Sequence, residues 1–343
     1  MKNVLVTIIS PVFNAEKYLP DFLKCINSQT YKNWELIIVD DGSSDATLEI
    51  LNRYKKEDCR IKVYKRLREP KGSLTCRNIG LEYVEGKYFI QIDIDDLFSK
   101  TFLENRVNLM EEYPDIDYAT FPACSVVEKN GMLFYGGNSW GFKQQNLLKL
   151  FLNTKYPFSI WNNIYKSESL KNELWDEKVQ IYSDFSYAIP IILKGYKHIF
   201  SKNKQFDYFY KVGLQNSMTA SFISEEKFDS TLYLFNKTII QLNELGHSRY
   251  VKYFSRFFAL QFSRLLTNGT HHQRTRFIKF TFDHGFNHLS KRMKKYEVLC
   301  SYFENKGMTR CIHWASVFFA NKFFVFNVLF KKTMQNTRRI YIK

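Results

Sequence analysis

The sequence predicts an α/β protein: a mostly parallel sheet with helices on both faces, followed by a mainly helical C-terminal region. Over roughly the first 100 residues, apolar runs of strand length alternate with segments of helical periodicity. The apolar runs lack the polar–apolar alternation of a half-exposed antiparallel sheet, so both faces of the sheet are expected to be covered. Charge supplies the third observation. The 343-residue chain carries a net +16, and 19 Lys or Arg from Arg249 onward face only Asp283, Glu297 and Glu304, so 19 − 3 accounts for all of it. The first 248 residues hold 31 basic and 31 acidic residues and are neutral.

The elements follow in order. "VLVTIIS" reads as a first buried strand; its apolar run is short for a secretory signal and is broken by Pro11. "AEKYLPDFLKCINSQ" places Leu19, Phe22, Leu23 and Ile26 at helical spacing. "WELIIVD" is a strand, and "SSDATLEILNRYKK" a helix with capping residues ahead of Leu48, Leu51 and Tyr54. "RIKVYKR" is a third strand, "LTCRNIGLEYVEG" a helix ending at Gly86, and "KYFIQIDID" a fourth strand.

Ligands of such sheets bind at the carboxyl ends of the strands. Here those ends read "SPVFN", "VDDGSSD" and "DIDD", which brings Asp40, Asp41, Asp93, Asp95 and Asp96 toward one crevice. Like charges gathered this closely cost free energy unless a cation offsets them. A hard divalent ion with carboxylate and phosphate ligands is the natural candidate. In a strand, residues two apart point to one side, so Asp93 and Asp95 can address one ligand. Asp96 then points away, toward a cap on the next helix, "SKTFLENRVNLMEEY".

These motifs resemble the start of the family-2 inverting glycosyltransferases, which have the GT-A fold. The shared elements are the strand ending in Pro11, Phe13 and Asn14, the "QT" turn, "VDDGSSD", the helix "RNIG" and the strand "IDIDD". The resemblance covers Met1 to about Ala220. It implies a GT-A domain over 1–220, with a nucleotide-binding part at about 1–125 and an acceptor part at about 126–220. A basic, aromatic, helical region over 221–343 would follow.

It also implies roles. Pro11, Phe13, Asn14, Glu16, Asp40, Asp41, Arg77, Asp93, Ile94, Lys211 and Ser217 would bind a nucleotide diphospho-sugar, a UDP-sugar by preference. Asp95, with Asp93, would hold Mn²⁺ or Mg²⁺, and Asp184 would be the general base. Trp161, Asn162 and Tyr165 would line the acceptor site. Each has a plainer reading. Asp40 and Asp41 suit an Asp-rich helix cap, Glu16 a first-turn helix acid, and Arg77 a structural ion pair with a crevice Asp. Asp184 suits a helix N-cap, and the "IWNNIYK" aromatics suit core packing. The chain departs from the family at Pro70 in "EPKG", where Asn is usual, at Ser183 in place of the first acid of the base motif, and at Lys211 in place of Arg.

The six cysteines form no CxxC or CxH pair, so neither zinc nor a disulfide framework is indicated, and free thiols suit a reducing cytoplasm. No GxGxxG follows the first strand, which argues against a dinucleotide oxidoreductase. A nucleic-acid-binding protein is the alternative that +16 suggests, but the charge is absent from the front 248 residues and no recognition motif is visible. His271 and His272 are adjacent and read as surface. In the basic region, Tyr250, Phe254, Phe257, Phe258, Phe262 and Leu265 recur at helical intervals among basic residues. "CIHWASVFFANKFFVFNVLFKK" is apolar but interrupted by Lys322, which suits an in-plane interfacial helix better than a spanning one. The expected partner there is an anionic membrane surface, met by Trp314, Phe318, Phe319, Phe323, Phe324 and Phe326, on the inner face of the cell membrane. A helical bundle packed on the catalytic domain is the other reading.

Overall fold

The computed structural model describes residues 3–129, 132–142, 145–212, 224–308, 311–313, 315, 316 and 319. Strand β1 (Val6–Val12), helix α1 (Leu19–Asn27), β2 (Trp34–Asp40), α2 (Thr47–Glu57), β3 (Ile61–Lys65), α3 (Ser73–Glu82) and β4 (Tyr88–Gln91) follow the alternation expected. The chain continues through β5 (Leu97–Phe98), α4 (Phe102–Glu112), β6 (Tyr118–Thr120), β7 (Ala123–Lys129), β8 (Met132–Trp140), α5 (Leu147–Leu152), β9 (Asn163–Lys166), α6 (Ser167–Leu170), α7 (Ser183–Leu193), β10 (His198–Phe200) and β11 (Tyr208–Lys211). The helices α8 (Glu225–Glu244), α9 (Phe254–Asn268), α10 (His271–Asp283) and α11 (Asn287–Asn305) follow among the described residues.

The main sheet has seven strands in the order β10-β6-β9-β4-β1-β2-β3. The pairs β1·β2, β1·β4 and β2·β3 are parallel, as helical crossovers require, and β9 runs antiparallel between β4 and β6. Every residue of β1 and β2 is buried, which is why those strands read as continuous apolar runs. A second sheet, β5-β11-β7-β8, stands beside the first; its two-residue β5 and widely separated partners left no periodic signal in the sequence.

The parallel order carries the ends of β1, β2 and β4 to one edge. Helix α3 packs against that core so closely that a Cβ added at Gly80 would meet Ile9 Cγ2 at 2.5 Å. This explains the glycine of "RNIG": it brings Arg77 down to the strand ends. On the far side, buried Arg106 of α4 donates to Asp207 at 2.7 Å, and its guanidinium lies over the Phe102 and Phe121 rings. The pair fixes α4 to the segment entering β11.

The aromatic stripe of the basic region is a core. Phe254, Phe257, Phe258 and Phe262 of α9 are all buried, with Phe277 of α10. Arg274 is buried there and donates to Glu297, Glu304 and the Gly269 carbonyl. Two of the three acids after Arg249 are therefore taken up by one arginine, leaving Lys291, Lys294 and Lys295 on the surface. Phe319 corrects an expectation. It is buried against Phe262 and Tyr296, so apolar packing takes it away from any membrane surface. Trp314, Phe318, Phe323, Phe324 and Phe326 lie outside the described residues. Among the described residues no helix is long and apolar enough to cross a membrane. His271 and His272 are exposed, and His271 Nδ1 meets Glu297 at 2.6 Å.

One prediction concerns α3. Gly80→Ala drives a methyl group into the side chain of Ile9, and overpacking of this kind costs about 1–3 kcal/mol. Denaturant unfolding should show a loss of that size. An unchanged midpoint would mean that α3 does not pack on β1 as described.

Candidate active site

The loops after β1 and β2 are knitted together by backbone amides. Asn14 N donates to Ser43 Oγ, Ala15 N to Thr47 Oγ1 and Glu16 N to Asp45 Oδ2. In return Ser44 N donates to Asn14 Oδ1 at 2.8 Å and Ala46 N to Glu16 Oε2 at 2.9 Å. The polar residues in "FNAE" and "GSSDAT" thus satisfy each other's loop, and Asn14 takes a left-handed φ of 49° to do so. Glu16 lies ahead of α1, so it is not a first-turn acid there; it caps the amide at the start of α2. Asp40 is buried and accepts from the Gly42 and Ser43 amides, a turn that Gly42 closes at φ 87°. Asp41 accepts from Arg66 Nε and from Gly72 N. Pro11 is buried in β1, whereas Phe13 is 47% exposed with the Lys71 ammonium 3.9 Å from its ring centre.

The aspartate cluster differs in detail from the sequence expectation. Strand β4 ends at Gln91, so Asp93 and Asp95 lie in the turn beyond it and strand alternation does not set their directions. Asp93 accepts from Arg77 Nη2, and the ion pair read from sequence is present. Arg77 is 3% exposed and its Nη1 has no hydrogen-bond partner among the described residues. Asp95 makes no ion pair among the described residues, and burial together with the charge of Asp93 pushes its carboxyl up to about 6. Ile94 between them is buried. Asp96 does not cap α4, which starts six residues later. Its buried carboxylate accepts from the Tyr208 hydroxyl at 2.7 Å and from Lys211 N at 2.9 Å, tying the turn to β11. That bond places Lys211 beside the cluster, its ammonium 4.0 Å from Glu128. Ser217 lies outside the described residues.

Asp184 sits in the first turn of α7 but does not cap its own helix. Its Oδ1 accepts from Ser159 Oγ at 2.6 Å and Ile160 N at 3.0 Å, and no partner of Oδ2 occurs among the described residues. Burial raises its pKa above the ordinary carboxylate value, and it is close enough to Asp93 and Arg77 to feel both charges. Trp161, Asn162 and Tyr165 are buried. Trp161 stacks on Tyr208 and Tyr210, Asn162 holds the Phe121 carbonyl and the Ser159 amide, and Tyr165 stacks on Phe89. Their contacts are those of core packing.

Sequence reasoning missed Arg66, Ser159 and Tyr208. Arg66 directly follows β3, and a basic residue at a strand's carboxyl end was a usable signal. Ser159 and Tyr208 reach their partners across 25 and 112 residues and leave no local pattern.

The donor set can be weighed against a divalent ion. Asp95 and Asp93 offer hard carboxylate oxygens, and an ion there would relieve the repulsion that raises Asp95. Among the described residues no group of three His, Cys, Asp or Glu could hold a metal unaided. The residues therefore fit a cation that takes part of its coordination from a bound ligand.

Residues 7–172 match the model of glycosyl transferase family 2. An uncharacterized glycosyltransferase of Haemophilus influenzae is 28% identical over 263 residues, which cover 74% of this chain and 95% of that one. The minor teichoic acid biosynthesis protein GgaB of Bacillus subtilis is 28% identical over 249 residues, covering 69% of this chain but only 26% of GgaB. Among solved structures, S. aureus TarS 1–349 in complex with UDP-GlcNAc aligns with TM-score 0.64 and 20% identity over 90% of each chain. Residues 7–172 thus carry a glycosyltransferase family-2 domain, and the chain shares the GT-A fold of the structures it aligns with.

A prediction follows from Asp95. Its carboxyl is raised above its unfolded value near 3.9, so above about pH 6 the charged form costs folding free energy. Asp95→Asn should therefore leave the metal-free protein at pH 7.5 as stable or more stable, by on the order of 1 kcal/mol. Thermal unfolding in chelator checks this; a clear loss of stability would show that the carboxylate has a structural partner.

Proposed function

We propose that the protein transfers a sugar, with inversion, from a nucleotide diphospho-sugar to a hydroxyl of a saccharide or lipid-linked saccharide in cell-surface polysaccharide synthesis. A UDP-sugar is the preferred donor. Residues 1–220 would form the catalytic domain, divided near residue 125 into donor and acceptor parts, and residues 221–343 a helical support. The teichoic acid role of GgaB and the UDP-GlcNAc bound to TarS support the substrate classes.

The observation that carries the reading is Asp184. One carboxylate oxygen is held by Ser159 and Ile160 while Oδ2 has no such partner among the described residues, and the group stands near the Arg77–Asp93 pair. In an inverting transfer a carboxylate takes the acceptor hydroxyl's proton as that oxygen attacks the anomeric carbon in line. Asp184 Oδ2 would receive the proton. Burial makes it a stronger base than a solvated Asp. Arg77 and Lys211 would face the leaving diphosphate, Lys211 as a point charge without the fork of an arginine. A divalent cation on Asp95 and Asp93, when bound, would offset the charge developing on that diphosphate. Asp41 and the interlocked loops after β1 and β2 would form the nucleoside end. Work on a lipid-linked acceptor would place the enzyme in the cytoplasm, peripheral on the inner face of the membrane, with the exposed lysines of α11 toward anionic lipid.

The test joins a panel of nucleotide sugars, read by nucleotide release, to one variant. Asp184→Asn keeps size, so donor binding should stay within about twofold while transfer falls by about 100-fold or more. Wild-type transfer should also fall as pH drops through the raised pKa of Asp184, because protonation removes the base. Transfer by Asp184→Asn within about threefold of wild type, less than 1 kcal/mol of barrier, would assign the base elsewhere. Liposome co-sedimentation of the full chain tests the membrane reading; failure to bind anionic vesicles at low salt would exclude it.

A further inference from the structure

The helical region reaches the segment that carries Asp184. Tyr182, two residues earlier, has φ 62° and ψ 35°. That left-handed conformation is one that bulky L side chains rarely adopt, and it persists only where the surroundings impose it. The surroundings here come from α8 and α9. The Tyr182 hydroxyl donates to Gln261 Oε1 at 2.8 Å and accepts from Arg264 Nη1 at 2.7 Å. Its ring meets Phe257 edge-on at 4.9 Å and lies over Phe235 at 6.3 Å. Gln261 is 1% exposed, so its carbonyl needs the phenol as a donor. Phe185, on the other side of Asp184, packs on Phe254 and Phe257 of the same helix.

Asp184 is thus held twice. Ser159 and Ile160 fix its carboxylate from the sheet domain, and α9 fixes the backbone on either side of it. The left-handed turn at Tyr182 sets how α7 begins, and hence where Asp184 stands relative to the Arg77–Asp93 pair. A free turn there would relax toward the common backbone regions and swing the carboxylate.

We propose that Gln261 and Arg264 are positioning residues for transfer, acting through Tyr182 on Asp184. This rests on the reading of Asp184 as the base. Their hydrogen bonds to the Tyr182 hydroxyl lie on the α9 side of Asp184, so changing them should affect transfer more than donor binding.

Three variants of the full chain test it, beside Asp184→Asn. Tyr182→Phe keeps the ring contacts and removes both hydrogen bonds; Arg264→Met removes one; Arg264→Lys keeps a donor. With the UDP-sugar selected by the donor panel, Tyr182→Phe and Arg264→Met should lose about tenfold in kcat, with donor KM within about twofold. Arg264→Lys should recover most of the loss. A second readout needs no donor. Amide hydrogen exchange over residues 183–186 should quicken by about fivefold in Tyr182→Phe and Arg264→Met, and not in Arg264→Lys. If Tyr182→Phe fails to fold, the Arg264 pair carries both readouts. Wild-type kcat and exchange in these variants, while Asp184→Asn is inactive, would overturn the proposal alone and leave the base in place. An active Asp184→Asn would overturn it together with the base.

Discussion

The crowding of carboxylates at the carboxyl edge of the sheet is the constraint on which the rest of the structure depends. Asp40, Asp41, Asp93, Asp95 and Asp96 are brought together by three parallel strands, and in a partly buried site their repulsion is screened little by water. The structure offsets it piecewise. Asp40 takes turn amides, Asp41 takes Arg66, Asp93 takes Arg77, and Asp96 takes a phenol and an amide from β11. Burial and mutual repulsion still raise the pKa values of Asp95 and Asp96, and neither makes an ion pair among the described residues; Asp95 has no side-chain partner there either. A chain that needed only to fold would place an amide or a serine there.

The same compensations define the crevice. Gly80 lets α3 approach β1, which brings Arg77 to Asp93. Asp96 draws in β11, which delivers Lys211. The helical region supplies the far wall: α9 packs on Phe185 and grips Tyr182, on either side of Asp184. The core runs without a break from Val6 in β1 to Phe319, so the helices that hold the positive charge are part of the same packed body as the sheet.

The alternation of the first four strands and three helices was legible because parallel strands buried on both faces read as plain apolar runs, and amphipathic helices read as periods of 3.6. The crevice was legible for a related reason, since residues at strand ends are local in sequence. What the sequence did not show was long-range. Nothing near Ser159 announces Asp184, and nothing near Asp96 announces Tyr208. Strand alternation misplaced Asp93 and Asp95 because β4 ends at Gln91, two positions before the first and four before the second, and it misdirected Asp96. The aromatic stripe of α9 was ambiguous because an interfacial face and a core face have one periodicity; burial resolves it as core, and Phe319 with it. The division of charge had a simple basis, since Arg274 takes two of the three late acids and Lys291, Lys294 and Lys295 of α11 stay in solvent.

Calorimetric titration of UDP into the full chain, with Mn²⁺ and then with chelator, tests most directly whether the carboxylate cluster exists to receive a cation with a diphosphate. If it does, metal and nucleotide bind cooperatively: UDP affinity rises by about tenfold or more with Mn²⁺, a coupling of about 1.4 kcal/mol, and Asp95→Asn abolishes the gain. UDP that binds equally well with Mn²⁺ and with chelator would contradict it, and Asp93 and Asp95 would then be a cluster balanced by Arg77 and Lys211.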